Sequence, residues 1–158
     1  MKHVIFKRNE DGSVGSQKMG SYEGPKDDTS AKRSYLQAEP MACHFELPEG
    51  MDEDCVDVVE VEGVASLQEN ADKVLAKRQA KANANLEAVR ALRAPFLVQA
   101  DHEINELEDA ELPSTDMRAY RSALRACTDS LKKVNGDAKL TECEFLVPSE
   151  FVFPVKPS

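Results

Sequence analysis

The residues of this chain that could do chemistry are few, and their spacing decides what each can be. His102-Glu103-Ile104-Asn105-Glu106 opens like a zinc-protease helix. That site needs two imidazoles one helical turn apart, and Glu106 stands where the second would be. Gly15-Ser16-Gln17-Lys18-Met19-Gly20-Ser21 has the glycine spacing of a phosphate loop, but Ser21 occupies the position of the phosphate-binding lysine. Ser130-Leu131-Lys132-Lys133 satisfies Ser-x-x-Lys without the companion motifs that give that serine its base. Asp52, Glu53, Asp54 and Asp57 are densely acidic, yet the sixth-position Gly and twelfth-position Glu of a calcium loop are missing, which predicts a solvated turn. Cys43, Cys55, Cys127 and Cys143 form no Cys-x-x-Cys pair and are expected to be reduced thiols. No nucleophile, base or metal set converges, so the sequence predicts a non-enzymatic protein with no catalytic, metal or cofactor-binding residues and no cofactor.

Charge is the more informative chemistry. From Asp101 to Asp116 every charged side chain is acidic: Asp101, Glu103, Glu106, Glu108, Asp109, Glu111 and Asp116. From Met117 to Lys133 the charges are Arg118, Arg121, Arg125, Lys132 and Lys133 against Asp129 alone. Two consecutive segments of opposite sign are expected to fold back on each other, since opposite charges fix pairing and register even where each exposed pair contributes little. The net charge of -9 repels nucleic acid and anionic lipid, so neither a nucleic acid nor a membrane is an expected partner. No apolar run approaches the roughly 20 residues of a spanning helix, and the run near Met1 is too short for a secretion signal.

The elements that must position these residues follow from periodicity. The 158-residue length suits one domain, or a small domain with a helical extension. His3–Arg8 reads as a strand, and Asp11-Gly12 in Asn9–Ser13 as a tight turn. Gly15–Arg33 is poor in anything to bury and is expected to be mobile when free. Cys43–Leu47 and Cys55–Glu62 read as strands. Ser66-Leu67-Gln68-Glu69 matches a capping box and predicts the start of a helix. That helix should run to Ala94, break or kink at Pro95, and resume to about Asp109 through Leu97, Ala100, Ile104 and Leu107. Pro113 ends it, and Ser114 or Thr115 caps the next helix. There Met117, Tyr120, Leu124, Cys127, Leu131 and Val134 make a seam at steps of three and four, so a helix is expected up to a C-cap at Asn135-Gly136. Glu142–Val147 alternates like a strand, and Phe151–Ser158 is an extended tail. The expected fold class is α+β: a β-rich part over 1–64 with a Gly/Ser-rich loop, an antiparallel helical hairpin over 65–136, and an extended tail over 137–158.

Tyr120-Arg121-Ser122-Ala123-Leu124-Arg125 resembles the Tyr-Arg-x-x-Leu-Arg core of small bacteriophage tail proteins, the tail-assembly-chaperone-like and tail-fibre-assembly group. Arg93, Leu97-Val98 and Asp101 are similar to that group's pattern on the first arm of its helical hairpin. Phe153-Pro154-Val155-Lys156-Pro157 is similar to its aromatic-Pro-x-x-Pro tail, with Phe where Trp is usual. The match spans roughly residues 90–158; Pro95 and the insert from Asp137 to Glu150 depart from the pattern.

The resemblance implies a non-enzymatic tail or tail-fibre accessory protein, a virion component or an assembly chaperone. Its partners would be other tail, fibre or baseplate proteins, with a homo-oligomer expected within the assembly. It would reside in the host cytoplasm during assembly and then in the virion tail. The expected contact residues are Tyr120, Arg121, Leu124, Arg125, Phe151, Phe153, Pro154 and Pro157. The competing reading, from composition alone, is a free cytoplasmic acidic adaptor or regulator that binds a host protein.

Overall fold

The computed structural model describes residues 1–24 and 42–157. The fold is α+β and divides into two compact units, Met1–Leu75 and Ala76–Ser158.

In the first unit β1 (Lys2–Arg8) lies centrally in a three-stranded antiparallel sheet, flanked by β2 (Val14–Glu23) and β3 (Ala42–Glu46). β4 (Val56–Val61) and β5 (Val64–Glu69) form a separate hairpin. Val4, Phe6, Leu47 and Val56 are buried in one cluster, so hydrophobic β1 supplies the centre and its neighbours the cover. The turn between β1 and β2 is made as expected, with Gly12 at φ 88°. Gly15 is required for another reason: a Cβ there would stand 2.8 Å from the Lys7 carbonyl oxygen.

Two expectations are corrected here. The part of Gly15–Arg33 up to Glu23 is ordered as β2; residues 25–33 lie outside the described residues. Main-chain pairing to β1 needs no apolar side chains, and long side chains add anchors: Tyr22 stacks on His3 at 4.8 Å and Lys18 bonds Asp54 at 2.9 Å. Ser66–Glu69 is strand β5, not a capping box. Glu62-Gly63, both at positive φ, turn β4 back on β5, and Asn70 caps the helix instead, its Oδ1 accepting from the Asp72 and Lys73 amides at 3.0 Å each. Residues 65–69 therefore belong with the β-rich part. The cluster around Asp52 is a turn answered by cations, with Lys18 on Asp54 and Lys2 on Glu53 at 3.3 Å, while Lys73 pairs with Asp57.

The second unit hangs on α1 (Ala71–Asp109), which crosses from one unit into the other. It runs unbroken through Pro95. The proline deprives the Ala91 carbonyl of its amide partner, but both residues are exposed and water can satisfy that oxygen. After the Pro113 corner, α2 (Thr115–Ala126) returns along α1. Ser114 occupies the N-cap, but its hydroxyl donates to Glu108 at 3.1 Å rather than capping an amide. Ala100, Ile104, Met117, Tyr120 and Leu124 are buried between the two helices. This is the hairpin the seam predicts.

The seam does not continue to Val134. α2 stops at Ala126, a single 3-10 turn covers Asp129–Leu131, and Val134 is fully exposed. Leu131 leaves the hairpin core and joins Ala82, Leu86, Ala138 and Cys143 in a second cluster nearer the start of α1. Distance along α1 explains the change. Leu97 and Leu86 are about 16 Å apart on a helix, whereas seven helical residues from Leu124 to Leu131 would cover only about 10 Å. Unwinding lengthens the chain enough to reach Leu86. Asn135-Gly136 then forms a tight turn, with Gly136 at φ 91° and the Gly136 amide on the Lys133 carbonyl at 3.0 Å, instead of a helix cap.

The strand expected over Glu142–Val147 is also absent. α3 (Leu140–Cys143) and a 3-10 turn at Pro148–Glu150 occupy that region, so only Phe151 onward is extended. Alternation misleads here because Cys143 and Leu146 pack onto one side while Phe145 is 80 % exposed. α1 supplies the partners that irregular backbone lacks. The Gln79 amide donates to the Ala138 carbonyl (2.8 Å), Asn83 accepts from the Ala138 amide (2.9 Å), and the Asn85 amide donates to the Cys143 carbonyl (2.8 Å). Burial pushes the Cys143 thiol up, and its S–H donates to the Leu131 carbonyl at 3.3 Å.

Candidate interaction surface

The residues singled out from sequence fall into three layers of the second unit. Tyr120 and Leu124 point into α1, Leu124 completely buried. They hold the hairpin together and present little to a partner. Arg121 pairs with Asp101, and Arg118 with Glu108, so the acidic and basic arms engage each other across the hairpin. The Arg118 hydrogen bond, with help from Ser114, holds the Glu108 carboxyl below its ordinary value.

Arg93 has a different task. One of its terminal nitrogens reaches the Leu124 carbonyl (3.2 Å), the Arg125 carbonyl (3.1 Å) and the Thr128 hydroxyl (3.0 Å). The last turn of α2 leaves carbonyls without intrahelical donors, and a cation there also complements the helix dipole. Arg93 thus caps α2 from the neighbouring helix and fixes where it ends. Sequence spacing alone did not assign this role, since the contact joins residues 31 to 35 apart along the chain. Arg125 contributes its carbonyl to that cap while its side chain is exposed.

The C-terminal segment forms the third layer. Phe151 packs on the Leu86 cluster and Phe153 on the hairpin core. Phe153 sits 5.0 Å from the Phe151 ring and 5.4 Å from Phe96. Pro154, Val155 and Pro157 border a shallow hollow floored by Tyr120 and Ala123. Lys156 bonds Glu103 and, as the largest cause, keeps that carboxyl below its ordinary value. The tail is therefore a strap laid over its own hairpin. Its outward side carries Val152 and Val155, 85 % and 91 % exposed, which sequence reasoning passed over in favour of the aromatics and prolines. The period-two alternation Phe151-Val152-Phe153 was the available sign.

Among the described residues no group of three or more His, Cys, Asp or Glu side chains could hold a metal, and no helix is long and apolar enough to cross a membrane. Cys43, Cys55 and Cys143 are buried free thiols and Cys127 is partly buried. The arrangement presents to solvent a strap with two outward valines, Val152 and Val155. No family model, curated protein or solved structure matches the chain.

Proposed function

We propose that the chain is a non-enzymatic bacteriophage tail or tail-fibre accessory protein that acts through contacts with other tail or fibre subunits. The observation that carries this reading is where the motif residues meet. Arg93, Leu97 and Asp101 on α1 meet Tyr120, Arg121 and Leu124 on α2, and Phe153 of the aromatic-proline tail closes over the same core. Three sequence fragments, each weak alone, thus become parts of one folded hairpin-and-strap unit. The partner surface in this reading is the strap, with Val152 and Val155 outward, while Tyr120 and Leu124 supply the rigidity beneath it.

The test is co-purification. The chain is tagged in an infected or lysogenic host, and both assembly intermediates and purified particles are analysed by mass spectrometry. Recovery with tail or fibre subunits in either fraction is expected, and recovery in particles would make it a virion component. Recovery in neither fraction overturns the reading and favours the free adaptor.

A further inference from the structure

The segments that cover α1 after Leu131 are fastened in two ways. Ala138 and Cys143 are tied to α1 through their main-chain atoms, by Gln79, Asn83 and Asn85. The strap is not. The Phe151 amide donates to the Pro148 carbonyl at 3.3 Å, and beyond it no main-chain hydrogen bond joins residues 152–157 to the rest of the described residues. Pro154 and Pro157 have no amide to donate. The polar contact of the strap is Lys156 on Glu103 of α1. Side-chain packing supplies the remainder: half-buried Phe153 lies on Phe96 and the hairpin core, and Pro154 and Pro157 edge the hollow beside Asp116, Tyr120 and Ala123. Phe96 is still 39 % exposed with the strap in place. An exposed ion pair contributes little, and the entropy of ordering an extended segment opposes the contact. The strap is therefore held as a bound peptide is held, by an aromatic anchor, two prolines and one cation.

We propose that residues 152–157 are an internal ligand, and that the groove beneath them takes an extended segment of a partner protein with the same chemistry: an aromatic residue, a proline, a cation two residues on, and a final proline. The walls of that groove belong to the hairpin alone, Phe96 and Glu103 on α1 and Asp116, Tyr120 and Ala123 on α2, so it persists when the strap leaves. Phe96 and Tyr120 receive the ring and the prolines, and Glu103 and Asp116 attract the cation. Prolines hold such a segment extended before it binds, which lowers the entropy cost of seating it. The strap meets the same requirements in cis. Its tether gives it an effective concentration on the order of millimolar, so it closes the groove to weak competitors and yields to tighter ones. The contact is autoinhibitory. The inference stands apart from the phage reading, since its test uses only this chain and a peptide.

The probe is a fluorescein-labelled peptide with the sequence of residues 152–158, read by anisotropy against the full chain. The intact chain is expected to bind it weakly. Phe153→Ala removes the aromatic anchor of the tethered strap and Lys156→Glu reverses its cation, and each should raise peptide affinity by about tenfold or more. Lys156→Glu leaves Phe153 in place, so it carries the test even if circular dichroism shows Phe153→Ala to have lost the fold. A peptide with Phe153→Ala should bind neither variant. Glu103→Lys, added to the Phe153→Ala chain, should make it prefer a peptide with Lys156→Glu over the parent peptide. Failure of both variant chains to bind the parent peptide overturns the groove as a peptide site. Equal affinity of the intact chain and both variants overturns the strap as its internal ligand. A dimer of the intact chain in sedimentation that Phe153→Ala dissociates would overturn the partner-protein occupant in favour of a second copy's strap.

Discussion

Two buried clusters on one helix are covered in opposite ways. Toward the end of α1, Ala100 and Ile104 are covered by a regular helix that brings Met117, Tyr120 and Leu124 at helical spacing. Toward its start, Ala82 and Leu86 are covered by a 3-10 turn, a tight turn and the four-residue α3. A helix satisfies its own backbone, so the first cluster needs only apolar side chains facing it. An irregular cover does not, and the second cluster is ringed by Gln79, Asn83 and Asn85, which hydrogen-bond that backbone. Asparagine is a weak helix former, and its presence in an alanine-rich helix marks where such polar work is done.

The largest expected effect tests the regular side of this comparison. Leu124→Ala removes a fully buried side chain and should cost about 2–5 kcal/mol in chemical denaturation. Leu86→Ala, 1 % exposed, belongs to the same class. Unchanged stability in Leu124→Ala would break the hairpin core. Next comes the joint between the two clusters. Arg93→Ala removes the cross-helix donor from the Leu124 and Arg125 carbonyls at the end of α2, leaving Leu124 only the Cys127 thiol at 3.0 Å among side-chain donors, and should lower stability by about 1–3 kcal/mol. Hydrogen exchange should quicken first in the last turn of α2; exchange that quickens equally along the hairpin would deny Arg93 its capping role.

The smallest effect belongs to the irregular side and is a matter of pH. Arg78 makes a two-point pair with Glu144, at 2.8 and 2.7 Å, and holds its carboxyl below the ordinary value of 4.5. A depressed folded value means the pair stabilises fully above about 4.5 and loses that contribution as pH falls through the folded value. Thermal melts of the wild type and Glu144→Gln should therefore differ at pH 7 and converge in acid. A gap that stays constant down to pH 3 would show that the pair contributes no titratable stabilisation.

How much was legible in the residues follows the same divide. The β1 strand, the Gly12 turn and the α+β class are readable because each depends on residues close along the chain, and the return of α2 onto α1 because a short corner joins two arms of matching apolar spacing and opposite charge. The opposite charges of the two arms correctly anticipated Arg118 with Glu108 and Arg121 with Asp101. Ser66-x-x-Glu69 was misread because a capping pattern is only local, and pairing with β4 claimed those residues first. Of the candidate contact residues, Tyr120 and Leu124 follow the seam into the core, whereas the tail's inward aromatics and outward valines depended on a cover the sequence does not announce.

By itself the sequence determined the periodic, self-satisfying parts of this protein and the sign of the charge on each arm, since those properties are carried by neighbours along the chain. Tertiary structure alone decided where α2 ends, that β5 is a strand, and that the C-terminal segment straps the hairpin. Each of those outcomes turns on distant groups: Arg93 reaching across to α2, β4 bonding β5, and Phe153 finding Phe96. Local preference proposes a conformation, and the partner that satisfies the backbone or fills the core selects it.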